Sequence, residues 1–237
     1  MARIHKKGER KKQLQMQIMP AIKLGFAQMD LDDVNVINSY IDNNLHKMPD
    51  NSSSLVGQIK QDNRSAQPEF PLDDEMPKQL GNYFIGLAKE YAAERPLSPR
   101  IRKNIGENEE YRVKNMWSVH SYAGDYNPMH EHSTISGRGV SIIVFLKVPP
   151  QIEQKGTSEM HANSGATDGV TQFIWDMNSG YDAPRFKHPS YAHVYPEVGK
   201  VWVFPIWLHH QVSPFFGDGE RRTMSCNIDI INKVVTL

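Results

Sequence analysis

Beyond residue 110 the chain becomes a succession of short β-branched and aromatic runs, each closed by a cluster of Gly, Pro, Asn, Asp or Ser. A segment that turns so often has no room for long helices, and its alternating side chains must be buried against a second layer. Strands are predicted at residues 113–121, 132–136, 140–148, 171–175, 193–195, 200–204, 210–214 and 223–231. Short strands at this spacing suit a sandwich or jelly roll. All four Trp and eight of the ten His fall in this half, which places the chemistry there.

The first half reads differently. Apolar residues between 11 and 48 take up helical spacing only after Asp32 and Asp33, which predicts an extended segment and then a helix to about residue 46, capped by one of these acids. Residues 49–72 are polar and contain Pro68 and Pro71, the composition of a long connection. Leu80, Tyr83, Phe84, Leu87 and Tyr91 recur at intervals of three and four, predicting a second helix over 74–93 that Pro96 and Pro99 stop. Residues 150–169, with Gly156, Gly165 and Gly169, read as a mobile loop of the kind that serves as a lid. The chain therefore divides into a basic leader (1–12), a helical and loop region packed on the core (13–110) and a β-rich catalytic core (111–237). The class is α+β, mainly β with N-terminal helices.

With 39% apolar and 23% charged residues, the chain can bury one substantial core. A formal net charge of zero provides no global field for nucleic acid or an anionic membrane. Arg3, Lys6, Lys7, Arg10, Lys11 and Lys12 read as a solvated tail. The lone Cys226 excludes an intrachain disulfide and suits a reducing compartment. No signal peptide is evident, nor an apolar stretch approaching the roughly 18 residues of a membrane span. A soluble, cytoplasmic protein is expected, and homo-oligomerisation is left open.

His130 and His132 stand two apart at a strand entrance, and a third imidazole lies far along the chain at His209 or His210. Alternate strand residues share a face, so His130 and His132 can converge on one ion while Glu131 points away unless a bulge re-aims it. Three protein ligands that leave coordination positions open describe a catalytic metal site rather than a structural one. Further on, Arg221 or Arg222 precedes Thr223 on a strand. A guanidinium and a hydroxyl on one face can clamp a carboxylate. Alternation with Thr223 favours Arg221. His120, Tyr122, Asn127, Trp207 and Asn227 are candidate pocket residues, and Trp117, Trp202 and Phe204 are candidate core or pocket wall.

Gly124-Asp-Tyr-Asn-Pro-Met-His130-Glu-His132, Ile142-Ile-Val-Phe-Leu-Lys-Val-Pro149, the run from Gly199 through His210 to Phe215, and Glu220-Arg221 through Asn227 together resemble the iron(II)- and 2-oxoglutarate-dependent oxygenases. The resemblance is strongest to a group common in tailed bacteriophages, especially those of marine cyanobacteria. It covers about the last 120 residues well. It implies a double-stranded β-helix holding Fe(II) at His130, His132 and His210, with 2-oxoglutarate as co-substrate and its distal carboxylate on Arg221 and Thr223. It also implies molecular oxygen as a reactant, succinate as a product, and hydroxylation of a protein side chain or small molecule. Phage encoding would put the protein in the host cytoplasm. Most of the superfamily has Asp or Glu where His132 stands, so this site carries one more positive charge, which strengthens anion binding and alters metal preference.

Two rival readings remain. The glycine and histidine spacings also resemble the cupins, but Ser136 and Gly137 occupy the place of the cupin glutamate and Trp207 replaces a glycine. A non-catalytic jelly-roll phage component is the other. It leaves three histidines and Arg221 without a use.

Overall fold

In a computed structural model of the chain, the described residues are 15–19, 22–57, 59, 65–94, 109–132, 138–153, 167–175 and 190–232. The basic leader, the Pro96–Pro99 helix stop, the predicted strand residues 133–136 and most of the predicted lid lie outside them. Among the described residues, ten strands form two antiparallel sheets. They are β1 (Gln15–Met19), β2 (Ile22–Gln28), β3 (Glu109–Ser121), β4 (Asn127–His130), β5 (Gly139–Lys147), β6 (Thr171–Ile174), β7 (Tyr191–Val194), β8 (Lys200–Pro205), β9 (His209–Val212) and β10 (Arg221–Asn232). The larger sheet runs β1-β2-β8-β5-β10-β3, and the smaller runs β4-β9-β6-β7. They face each other as a jelly roll.

Strand alternation builds two separate cores. On β5, Val140, Ile142, Val144 and Leu146 point to one side, where they meet Met224, Cys226 and Ile228 of β10. Two helices cover this side. They are α1 (Leu31–Asn44), through Val34, Ile37 and Ile41, and α2 (Glu75–Ala93), through Leu80, Phe84 and Leu87. Fully burying such a side chain contributes about 1.5–3 kcal/mol. The other face of β5 sends Ile143 and Phe145 between the sheets, against Leu24, Phe173, Val194 and Phe204.

The first half departs from the sequence reading in two places. Asp30, not Asp32 or Asp33, occupies the N-cap of α1, and the latter two sit in its first turn, where carboxylates oppose the positive end of the helix dipole. The polar 49–72 segment is more than a connection. Phe70 N donates to Met116 O at 2.8 Å, Ser118 N to Pro68 O at 3.0 Å, and His120 N to Ala66 O at 3.1 Å. The segment thus satisfies the exposed edge of β3, and Ala66, Gln67 and Phe70 are buried in doing so.

Gly199 makes the turn into β8. Its φ of +80° is open to glycine, and a Cβ there would stand 2.7 Å from Met29 O. The close approach lets Met29 N donate to Gly199 O at 2.8 Å, which fastens the end of β2.

Candidate metal centre and its cavity

Register brings His130 and His210 together. They are direct partners across β4 and β9, and Phe173 of β6 is the next residue in the same row. The His130 and His210 rings are 4.2 Å apart between centroids. His132 arrives by a different route from the simple strand alternation expected. β4 ends at His130, after which His132 N donates to Ile206 O at 3.0 Å, and the chain swings toward the large sheet. One ring nitrogen from each of the three histidines then lies within 4.8 Å of the others.

The hydrogen bonds of the rings suit a metal. His130 Nδ1 is 2.8 Å from Pro128 O and His210 Nδ1 is 3.0 Å from Leu208 O. A carbonyl oxygen only accepts, so the proton sits on Nδ1 and Nε2 keeps a bare lone pair. His132 Nδ1 is 3.0 Å from Asn227 Oδ1, another acceptor. Burial first, and the neighbouring imidazoles second, push His132 down to about 4 and His210 well below the ordinary imidazole value. Burial lowers His130 as well. The rings are therefore neutral at pH 7, the form that ligates.

These residues line a cavity of about 370 Å³ that also contains Arg221, Thr223, Thr171 and Asn227. Alternation on β10 sends Arg221, Thr223, Ser225 and Asn227 into it. Arg222 faces the opposite side, where it meets Glu220, Asp42 of α1 and Asn38. Arg221 is only 2% exposed. Its Nε donates to Gly169 O at 3.1 Å and its Nη2 to Thr171 Oγ1 at 3.3 Å, both uncharged acceptors. Among the described residues no carboxylate forms an ion pair with it. Burial lowers its pKa to about 10, which leaves it charged at neutral pH.

The other candidates separate clearly. Asn127, Asn227 and Trp117 line the cavity, and Trp117 meets His132 edge-on with centroids 5.4 Å apart. His120 points to the opposite face of β3. Its Nε2 is 2.9 Å from Ser118 Oγ and its Nδ1 is 2.7 Å from Glu220 Oε1, so its place is structural. With Tyr122 it borders a second cavity of about 280 Å³. Trp207 is half exposed on the turn between β8 and β9 and lies outside the main cavity. His209 is exposed, whereas His210 is 4% exposed. Glu131 lines the cavity but is not among the clustered ligands.

Several lining residues escaped the sequence reading. Asn51, Ser54, Leu55, Val56 and Gln67 come from the segment read as a connection. Nothing in their order announces this, because it follows from where the segment crosses β3. Lys114 and Asn115 both line the cavity because β3 bulges there, with Asn115 opposite Asn227 but Val113 opposite Ile228. Ser141, which contacts His132 without lining the cavity, did leave a signal, as the one hydroxyl in the apolar run of β5.

Residues 115–227 match a sequence family described as "Putative 2OG-Fe(II) oxygenase". The matched stretch contains all three histidines, Arg221 and Thr223. No curated protein matches the chain. Among solved structures, the non-heme alpha-ketoglutarate-dependent epimerase SnoN from nogalamycin biosynthesis is similar at a TM-score of 0.52 and 12% identity, over 90% of this chain and 82% of that one. AviO1 from Streptomyces viridochromogenes is similar at 0.51 and 11%, over 86% of this chain and 89% of that one. HygX from Streptomyces hygroscopicus, solved with nickel and 2-oxoglutarate, is similar at 0.50 and 12%, over 90% and 83% respectively. At these identities the likeness is one of fold.

Proposed function

We propose that a chain whose β-rich half matches an oxygenase family, and whose fold resembles those three proteins, is an Fe(II)- and 2-oxoglutarate-dependent dioxygenase. The observation that carries the reading is Arg221. A buried guanidinium whose hydrogen bonds among the described residues go to neutral oxygens, in a cavity shared with three neutral imidazoles, is costly unless an anion completes it. The Nε2 atoms of His130, His132 and His210 would hold the ion. Arg221 and Thr223 would receive the distal carboxylate of 2-oxoglutarate. Three uncharged ligands would leave the whole charge of a divalent ion in the cavity that Arg221 shares, so a dianionic co-substrate is the natural complement.

When bound, Fe(II) with 2-oxoglutarate supplies oxidative decarboxylation to succinate coupled to hydroxylation of a nearby C–H bond. The chain gathers the three imidazoles, keeps them unprotonated, and walls their cavity in part with Trp117, Ile143 and Val212. The cavity volume is on the scale of small-molecule sites. Its outer wall, Asn51 to Val56, belongs to the segment bordering β3, where a small molecule or protein side chain would enter. The Gly124–His132 and Gly199–Phe215 motifs support grouping with the tailed-phage enzymes. No helix among the described residues is long and apolar enough to cross a membrane. A cytoplasmic location, the host's if phage-encoded, is part of the same proposal, as are molecular oxygen as co-reactant and a substrate other than nucleic acid.

Anaerobic addition of Fe(II) and 2-oxoglutarate is expected to produce a visible charge-transfer band that His210→Ala abolishes and Arg221→Ala weakens. Absence of the band together with absence of iron-dependent succinate formation would overturn the reading. Metal binding that never recruits 2-oxoglutarate would favour a cupin-like protein instead.

A further inference from the structure

We infer that Asn227, pinned by Ser141, is a positioning residue that decides whether His132 can serve as a ligand at all. The inference rests on the metal-site reading above and concerns the one place where this site differs from a carboxylate-bearing one.

His130 and His210 have their Nδ1 protons fixed by the backbone oxygens of Pro128 and Leu208, which no side-chain substitution removes. His132 has no such carbonyl. Its Nδ1 lies 3.0 Å from Asn227 Oδ1 and 2.9 Å from Ser141 Oγ, and the Ser141 hydroxyl donates to the same Asn227 oxygen at 2.9 Å. Asn227 and Ser141 are direct partners across β10 and β5, with exposures of 4% and 0%.

An amide oxygen cannot donate, so its contact with Nδ1 requires the imidazole proton to be on Nδ1 and leaves Nε2 free. The reverse arrangement, with the amide NH₂ against Nδ1, would move the proton to Nε2 and remove the lone pair from the cluster. Ser141 holds the first arrangement: its buried hydroxyl donates to Asn227 Oδ1 at 2.9 Å, so the oxygen end of the carboxamide is the end that faces the imidazole. Asn227 Nδ2 makes no hydrogen bond among the described residues, so nothing there opposes that choice. As oriented, the Asn227–Ser141 pair presents its shared acceptor to Nδ1, which is what an imidazole ligating through Nε2 requires.

The test is anaerobic titration of the full chain with Co(II), followed by its ligand-field absorption, alongside thermal unfolding of each metal-free variant. Asn227→Ala is expected to weaken Co(II) binding about 10- to 100-fold, the usual cost of losing the partner that orients a metal-bound histidine. Asn227→Asp, which accepts at either oxygen, should restore wild-type affinity or exceed it. Ser141→Ala should fall between wild type and Asn227→Ala. Variants that unfold earlier yet bind Co(II) as the wild type does would overturn the inference, and so would equal loss in Asn227→Ala and Asn227→Asp. Should Asn227→Ala not fold, weakened binding in Ser141→Ala with retained binding in Asn227→Asp supports the inference, and any other ordering of these two overturns it. Failure of the wild type to bind Co(II) removes the metal-site reading and this inference together, and is recognised from the wild type alone.

Discussion

Arg221 and Arg222 are adjacent and chemically identical, yet the alternation of β10 gives them opposite lives. Arg221 enters the cavity with neutral partners, with its guanidinium carbon 5.3 Å from the centre of the Phe145 ring. Arg222 is neutralised by Glu220 at 2.8 Å and Asp42 at 2.7 Å. Among the described residues Arg221 is the member without a carboxylate partner, and it is the one that lines the cavity. Lysine in its place would keep the charge but lose the planar fork and the Nε bond to Gly169. Arg221→Lys is therefore expected to raise the 2-oxoglutarate concentration for half-maximal band formation about 10- to 100-fold, the equivalent of one charged hydrogen bond, with little change in metal affinity. A titration at fixed Fe(II) measures this.

Strands and helices divide the labour at the next scale. The helix-facing side of β5 and β10 is wholly apolar over Val140, Ile142, Val144, Met224, Cys226 and Ile228, while the same two strands place Ser141, Thr223, Ser225 and Asn227 on the other side. Packing α1 and α2 on one face frees the opposite face to be polar. Phe84 of α2 is fully buried in that packing. Phe84→Ala is expected to cost about 3–5 kcal/mol in denaturant unfolding with an unchanged m-value. The alternation of these strands and the helical spacing of α2 were legible in the sequence because each is a property of neighbouring residues. The bulge at Lys114 and the pairing of residues 66–70 along β3 were not, since both depend on what lies across the strand.

For the molecule as a whole, the network around Glu220 ties α1, β3 and β10 together. Burial works against ionisation of Glu220, but hydrogen bonds from His120 and Arg222, with the Arg222 charge, outweigh it and hold the carboxyl well below its ordinary value. Asp42 is also lowered: burial opposes ionisation, and Arg222 and then Lys147 overcome it. A carboxylate whose folded pKa is depressed stabilises the fold above its unfolded value of 4.5, and that contribution is lost as pH falls below it. The unfolded chain then binds more protons than the folded one. Stability should drop between pH 4.5 and the acid limit, and Glu220→Gln should flatten that slope while lowering stability at pH 7. Urea unfolding from pH 3 to 7 measures both; an unchanged slope would refute the assignment.

The β-rich half, the two helices and the histidines of the site are legible in the order of the chain, because periodicity and residue type are local records of what each segment can bury or ligate. The fold chose between His209 and His210 and between Arg221 and Arg222 as cavity residues, since register is a relation between strands. It also sent His120 and Tyr122 to a different cavity, left Trp207 at the surface, and supplied Ser141 and Asn227 to His132 from strands far away in the chain. One cause runs through all of these. A side chain's chemistry is written in its identity, but the partner that sets its face, proton and charge comes from whatever the fold places opposite it.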